Sequence, residues 1–275
     1  MLDFTYGTTP ATALEVFDRI VCGVDGTAES FEAARQAERL RSPEGTLRLA
    51  TVVEVNTAVH AGWAMSHVLE ELDAAGRAAL HRAIDEVQPS STHLLAGDAA
   101  HCLLEEIEQA DATLVAVGPH GHSRALGMLL GGVATELLHR AACSVLLARK
   151  PTFGEFPASI IVGVDGSPPS LVAAAVAKSI AERFGSEYVV VTATGGKDVD
   201  LDPLRAFLPD FVTDPRHAVD ALADLSEEAD LLVVGSRGLH GPRALGSVSE
   251  RVGHRAACSV LVVRNPQGGN HEHDH

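Results

Sequence analysis

Short apolar runs alternate with longer amphipathic stretches along the whole chain, as they do where strands and helices follow one another. Runs such as Leu114–Val117 and Leu231–Val234 contain no polar position, which indicates strands buried on both faces by crossover helices. The predicted strands are 19–25, 47–55, 92–96, 113–118, 144–149, 159–165, 187–193, 210–213, 231–236 and 259–264. This pattern predicts an α/β fold built on parallel sheets.

The chain also repeats itself. The segment His139–Arg149 recurs as His254–Arg264 with nine of eleven positions identical. Two further blocks match in the same order: Ile20–Thr27 with Ile160–Ser167, and Leu114–Gly118 with Leu231–Gly235. A repeat of this length predicts two equivalent domains, a first copy over 1–150 and a second copy over 151–275.

Each copy is expected to form a doubly wound, five-stranded parallel sheet in a Rossmann-like three-layer sandwich. The segment Lys150–Pro157, with its prolines and glycine, is the predicted linker. The second copy lacks 23 residues where the first carries a helical pattern from Val68 to Val87, so its second helix is predicted to be reduced. Its acidic, histidine-containing tail, 266–275, offers weak metal ligands but is better explained as a terminus without fixed structure.

Composition narrows the classes of partner. A formal net charge of −16 and a pI near 5.2 argue against nucleic acid, because binding to phosphate backbones needs a basic surface. No apolar stretch approaches the roughly 18–20 residues of a membrane span, and the first residues show no secretory pattern, so we expect a cytoplasmic protein. The four cysteines show no C-x-x-C spacing and predict neither a disulfide framework nor a zinc site.

Candidate ligand-binding residues lie where predicted strands end. In parallel sheets, ligands bind outside the carboxyl ends of the strands, where Asp25 and Asp165 follow the first strand of each copy. The fourth strands end at Gly118 and Gly235, and each opens a glycine loop that runs into a helix, an arrangement that attracts phosphate. A simpler interpretation is that the aspartates form turns or cap helices and that the glycines only satisfy backbone geometry.

The spacing of the loop glycines is more specific. The loop glycines and their neighbours are Gly118, Gly121, Gly131 and Gly132 in the first copy, and Gly235, Gly238, Gly246 and Ser247 in the second. This arrangement resembles the ATP-binding branch of the universal stress protein family, whose pattern is Gly, two residues, Gly, nine residues, Gly, then Ser or Thr. The resemblance covers nearly the whole chain and includes the Val-Asp-Gly end of strand one and the Cys-Ser-Val-Leu final strand.

The resemblance implies a fold like that of the adenine nucleotide alpha hydrolases and ATP as the ligand, with magnesium as its accompanying cation. It places Asp25 and Asp165 beside the adenine and ribose and the loop glycines beside the phosphates, and it makes Val52 a further nucleotide-binding residue. It also implies that the final strands of the two copies pair as a pseudo-dimer within one chain, with a homodimer of chains as a further level of association.

Both copies depart from the family pattern. The first copy has Gly132 where the family places a hydroxyl, and Pro119 lacks an N–H donor. The second copy keeps the hydroxyl in Ser247, but its loop is two residues short. These differences favour the first copy slightly as the competent site.

The expected function is therefore a stress-related adenine-nucleotide-binding sensor or regulator. Two alternatives stay open: a scaffold of the same fold that binds no nucleotide, and a slow ATP-processing enzyme. No P-loop, nucleophile elbow or His-Glu-x-x-His sequence occurs, so no catalytic residue and no metal ligand is predicted, and a role other than catalysis is favoured. His120 and His122 lack the spacing of a His-x-Gly-His motif and are interpreted as solvated loop residues.

Overall fold

A computed structural model describes residues 17–54, 65–121, 130–195, 204–205, 208, 210–236 and 247–264, without the side chains of 65–69 and 247. The strands are β1 Phe17–Gly23, β2 Arg41–Val53, β3 Ser91–Ala96, β4 Leu114–Val117, β5 Ser144–Leu147, β6 Ser159–Gly163, β7 Glu187–Ala193, β8 Val212–Asp214, β9 Leu231–Gly235 and β10 Ser259–Val263. The helices are α1 Ala28–Leu40, α2 Met65–Glu86, α3 Ala99–Gln109, α4 Gly132–Arg140, α5 Pro168–Phe184, α6 Ala218–Leu225 and α7 Ser247–Arg255. Within these residues, no helix combines the length and the apolarity needed to cross a membrane.

The ten strands form one sheet in the order β3-β2-β1-β4-β5-β10-β9-β6-β7-β8. All pairs within each half are parallel, so the predicted α/β doubly wound fold is confirmed. The two expected five-stranded sheets are, however, halves of a single sheet. Strands β5 and β10 pair antiparallel, with Leu146 opposite Leu261, because each strand would otherwise leave an unpaired backbone edge at the centre of the molecule.

One predicted strand boundary, the start of β2, was wrong by more than two residues, and the others lie within two residues of the observed ones. Strand β2 begins at Arg41 rather than 47. Arg41 pairs with Phe17, and the register of β1 with β2 shifts between Phe17 and Arg19. The proline and glycine of this segment interrupt the apolar pattern that would have predicted a strand. Strand β8 begins at Val212 rather than 210. Helical periodicity located α2 correctly, whereas the corresponding connection of the second copy is described only in part.

The core forms two layers, one on each face of the sheet. Along β1, Ile20 and Cys22 face the layer that contains α1 and α5, while Val21 faces the layer that contains α3, α4 and α7. All four residues of β4 are buried, which explains why that strand shows no polar alternation. Covering both faces leaves the carboxyl ends of the strands as the place where loops can form a site.

A buried carboxylate fixes the linker between the copies. Asp230, which has no exposed surface, accepts backbone N–H groups from Thr152 and Phe153 at Oδ1, at 3.0 and 3.2 Å. Its Oδ2 accepts those of Ala158 and Ser159 at 3.0 and 3.3 Å. Four donors compensate the desolvation of one charge, so the linker folds around this side chain.

Replacing Asp230 with Ala should lower the free energy of unfolding by about 3–5 kcal/mol, because four partly buried N–H groups lose their charged acceptor. The matched control is Thr113→Ala at the equivalent position of the first copy. Its hydroxyl bonds only the backbone of Arg19, so the expected loss is about 1 kcal/mol. Urea unfolding followed by circular dichroism measures both, and equal losses would contradict this role of Asp230.

Candidate functional site

Asp25 lies just beyond the carboxyl end of β1, in the turn that leads into α1. Its Oδ1 accepts the backbone N–H of Thr27 at 2.9 Å and the Thr27 hydroxyl at 2.6 Å. Thr27 in turn caps α1 by accepting the N–H of Ser30 at 3.2 Å. Gly26 between them has φ +89°, a left-handed conformation that favours glycine. This conformation explains the glycine of the Val-Asp-Gly sequence.

The glycine loop of the first copy reaches the same carboxylate. A Cβ added to Gly121 would lie 3.2 Å from Oδ2 of Asp25, so the loop backbone passes close beside the carboxyl group. The N–H of Gly131 donates to the carbonyl oxygen of Pro119 at 2.7 Å, and this bond joins the two ends of the loop. The structure therefore brings together Asp25, Gly121 and Gly131, which are far apart in the sequence.

Helix α4 begins where the loop closes. Gly131 is its N-cap and, having no side chain, makes no capping bond to the first turn. A Cβ added to Gly132, the first residue of the helix, would meet no described atom within 4 Å. Among the described residues, no N-cap side chain blocks the start of α4, and a helix N-terminus of this kind is a geometry that binds anions.

The remaining predicted residues of the first copy lie at the same edge of the sheet. Val52 is half-buried near the end of β2, and Val24 on the neighbouring strand donates its N–H to Ala50. Gly118 ends β4 against the start of α1, where an added Cβ would lie 3.0 Å from Cβ of Glu29. We call this set the first-copy cleft: Asp25, Val52, Gly118, Gly121, Gly131 and Gly132.

The interpretation that the two aspartates only form turns accounts for one oxygen of each carboxylate. Oδ1 of Asp25 forms the turn, and Oδ1 of Asp165 accepts the N–H and the hydroxyl of Ser167 in the same way, at 3.1 and 2.5 Å. Neither aspartate is the N-cap, because Thr27 and Ser167 occupy that position. Turn formation thus leaves Oδ2 of Asp25 as the atom beside the glycine loop.

The second copy repeats only part of this arrangement within the described residues. Gly238 and Gly246 lie outside them, and Ser247 is the first residue of α7, with its side chain also outside them. Gly235 packs so tightly on α5 that an added Cβ would lie 2.5 Å from the carbonyl oxygen of Pro169. Helix α5 also starts with Pro168 and Pro169, which carry no N–H groups.

A small cavity marks the corresponding edge of the second copy. It has a volume of about 80 Å³, against the ~300–1,000 Å³ typical of ligand pockets. The cavity is lined by Gly163, Val164, Asp165, Ser167, Ser170, Val191, Ala193, Ala218, Leu222, Val234, Gly235, Val248 and Ser249. A nucleotide bound here would lie partly outside the described cavity. A larger cavity, about 240 Å³, lies at the amino-terminal ends of β2 and β3, where its one charged side chain, Arg48, already pairs with Glu106.

Ser30 and Ser170 were not predicted, although they organise both turns. The hydroxyl of Ser30 accepts the N–H of Asp25 at 3.3 Å and donates to the carbonyl of Thr27 at 2.9 Å, and Ser170 does the same in the second copy. Their signal was the repeat, because they stand at equivalent positions five residues after each aspartate.

Cys22, the cysteine nearest the site, is not an activated nucleophile. Burial, followed by the negative charge of Asp25, raises the pKa of the Cys22 thiol far above its ordinary value. The thiol therefore stays protonated at neutral pH and behaves as a small core residue. All four cysteines are buried free thiols.

Comparison with known proteins gives one consistent result. The sequence model of the universal stress protein family matches residues 17–149 and 211–264. A universal stress protein of Mycobacterium tuberculosis is 30% identical over 285 residues, covering 89% of this chain and 96% of the relative. One from Mycolicibacterium smegmatis is 31% identical over 291 residues, with the same coverage of both chains.

Solved structures match the fold over most of its length. A putative universal stress protein from Pseudomonas aeruginosa superposes with a TM-score of 0.68 at 16% identity, covering 92% of this chain and 95% of the other. A universal stress protein from Archaeoglobus fulgidus gives 0.63 at 19% identity, covering 92% and 97%. At these identities the structures support the architecture alone.

Two glycines at the carboxyl edge of the sheet should respond oppositely to alanine. Gly235→Ala forces a methyl group into the backbone of α5 and should lower the free energy of unfolding by about 1–3 kcal/mol. Gly132→Ala meets open space and should leave it unchanged or raise it by up to about 1 kcal/mol. Urea midpoints of the two variants test this, and a similar loss in both would show that the space at Gly132 is not open.

Proposed function

We propose that this chain, which belongs to the universal stress protein family, binds an adenine nucleotide in the first-copy cleft and signals its occupancy. The observation that carries the proposal is the convergence of Asp25 with Gly121 and Gly131 around the uncapped start of α4. A carboxylate beside an anion-binding helix start suits a ligand that combines hydroxyl or amino groups with phosphate.

The phosphate end of the ligand would be held by the backbone. Because positions 121, 131 and 132 carry no side chain, phosphate oxygens can approach the backbone N–H groups at these three positions. Because Pro119 carries no N–H, the donors must come from the rest of the loop and from α4. Magnesium would arrive with ATP and neutralise part of its charge.

The nucleoside end would lie toward β1 and β2. Val52 and the apolar strand ends offer a surface on which a base can stack, while Oδ2 of Asp25 can accept a hydrogen bond from a ribose hydroxyl or an exocyclic amine. This division matches the polarity of a nucleotide, which has one apolar end and one anionic end.

A second candidate role applies to the second copy, which we propose to act mainly as a scaffold. The small cavity at its strand ends is below the size of an ordinary ligand pocket, and the proline start of α5 together with the tight packing of Gly235 leaves few backbone donors there. The two roles are compatible, because a scaffold joined to a nucleotide-binding copy provides the surface that other components can sense.

The proposed setting is cytoplasmic and free of nucleic acid, since a net charge of −16 opposes binding to polyphosphate backbones. Slow ATP processing remains the enzymatic alternative. The cysteine nearest the cleft stays protonated and supplies no activated nucleophile, which favours binding over turnover.

Substitutions at the glycine loop should change nucleotide affinity in both directions. Gly132→Ser adds a hydroxyl at the start of α4 that can donate to a phosphate oxygen, so the Kd for Mg-ATP should fall about three- to ten-fold. Gly121→Val places a branched side chain against Oδ2 of Asp25 and should raise the Kd more than ten-fold. Isothermal titration calorimetry measures both.

The matched control is Gly132→Ala, which fills the same space without a hydroxyl and should bind within about two-fold of the unsubstituted protein. Equal affinities for all three variants would move the binding site away from this cleft. Phosphate release above that of Gly121→Val would favour the enzymatic alternative, and a complete lack of binding by the unsubstituted chain would favour a scaffold in both copies.

A further inference from the structure

The helices that follow the two glycine loops, α4 and α7, end beside each other at the junction of the copies. A Cβ added to Gly253 of α7 would lie 3.2 Å from a methyl group of Leu147 and 3.3 Å from one of Leu138. Nε2 of His139 on α4 lies 3.4 Å from Oε1 of Glu250 on α7. The far end of each helix is therefore fixed by the opposite copy.

An arginine from the first copy reaches the end of α7. Arg149 lies two residues after the end of β5. Its guanidinium donates to the carbonyl oxygens of Gly253 and Cys258 at 2.7 and 3.1 Å. Gly253 lies in the last turn of α7, whose carbonyls have no partner within the helix. The backbone N–H of Arg149 also donates to Oγ of Ser259, at 2.9 Å.

The second copy returns the same contact. Arg264 directly follows β10, and its guanidinium donates to the carbonyl oxygen of Leu138 in the last turn of α4. Its backbone N–H donates to Oγ of Ser144 at 3.1 Å, the counterpart of the Arg149 contact with Ser259. Because β5 and β10 run antiparallel, each strand delivers its terminal arginine to the helix of the other copy.

These arginines interact with helix carbonyls rather than with acids. Among the described residues, neither guanidinium forms an ion pair with a carboxylate, and burial lowers the pKa of both. A cation at a helix C-terminus is favourable because it complements the negative end of the helix dipole. The arginines are thus placed to hold a helix end that would otherwise present unpaired carbonyls.

We propose that Arg264, contributed by the second copy, is a positioning residue for phosphate binding in the first-copy cleft. Helix α4 has only nine residues, about 14 Å, so fixing its C-terminal turn also fixes the N-terminal turn at the glycine loop. This inference rests on the proposed nucleotide-binding function. It means that the first copy needs the second to complete its site, with Arg264 acting through α4.

The test is a set of titrations with Mg-ATP and with adenosine on the full chain. Arg264→Met should weaken Mg-ATP binding about three- to ten-fold, the range expected for losing a partly buried charge at a helix C-terminus. Adenosine has no phosphate, so its affinity should change less than about two-fold. Arg264→Lys retains the cation and should restore most of the ATP affinity.

Two controls separate positioning from general weakening of the junction. Arg149→Met removes an equivalent charge but releases α7 rather than α4, and Ser144→Ala removes the bond to the backbone of Arg264 while keeping its guanidinium. Both should bind Mg-ATP within about two-fold of the unsubstituted chain. Melting temperatures of all variants ensure that titrations are performed on folded protein.

Outcomes of these titrations separate the two proposals. If the unsubstituted chain binds Mg-ATP and Arg264→Met binds it as well as Ser144→Ala does, the positioning role is wrong and the proposed function stands. The positioning role is also wrong if Arg264→Met weakens ATP and adenosine equally. If the unsubstituted chain binds neither ligand, both proposals fail together.

Discussion

The antiparallel pairing of β5 with β10 is the constraint on which the rest of the structure depends. Every other strand pair is parallel and lies within one copy, so this pairing alone turns two half-sheets into one sheet of ten strands. It satisfies two backbone edges that would otherwise be exposed, and it carries Arg149 and Arg264 across the junction to the ends of α7 and α4. The linker is held against the second copy in turn, because Asp230 accepts the backbone N–H groups of Thr152 and Ala158.

The same topology determines where chemistry is feasible. Helices cover both faces of the sheet, and the strands of each copy end at one edge, where loops of different origin meet. In the first copy that edge combines a carboxylate, a closed glycine loop and an uncapped helix start. In the second copy Asp165 forms the same turn, whereas Gly238 and Gly246 lie outside the described residues and the cavity at that edge is small.

Much of the fold could be predicted from the sequence because the signals were local or repeated. Uninterrupted apolar runs located buried strands such as β4, and the repeat showed which turns are equivalent. The start of β2 at Arg41 was missed because its pairing with Phe17 depends on a distant strand rather than on local pattern. Asp25 was predicted as a site residue from its place at a strand end and the loop glycines from their spacing. The contacts of Ser30 and the crossing of Arg264 depend on three-dimensional proximity, which periodicity does not encode.

The central claim is that this chain holds an adenine nucleotide, and the most direct measurement is the nucleotide content of freshly purified protein after acid denaturation. Chromatography of the released fraction, with detection at the adenine absorbance, requires no substitution and no added ligand. The account predicts an adenine nucleotide that copurifies with the chain and that dialysis against magnesium-free buffer reduces. Absence of any nucleotide, together with a melting temperature that added ATP and magnesium leave unchanged, would contradict it.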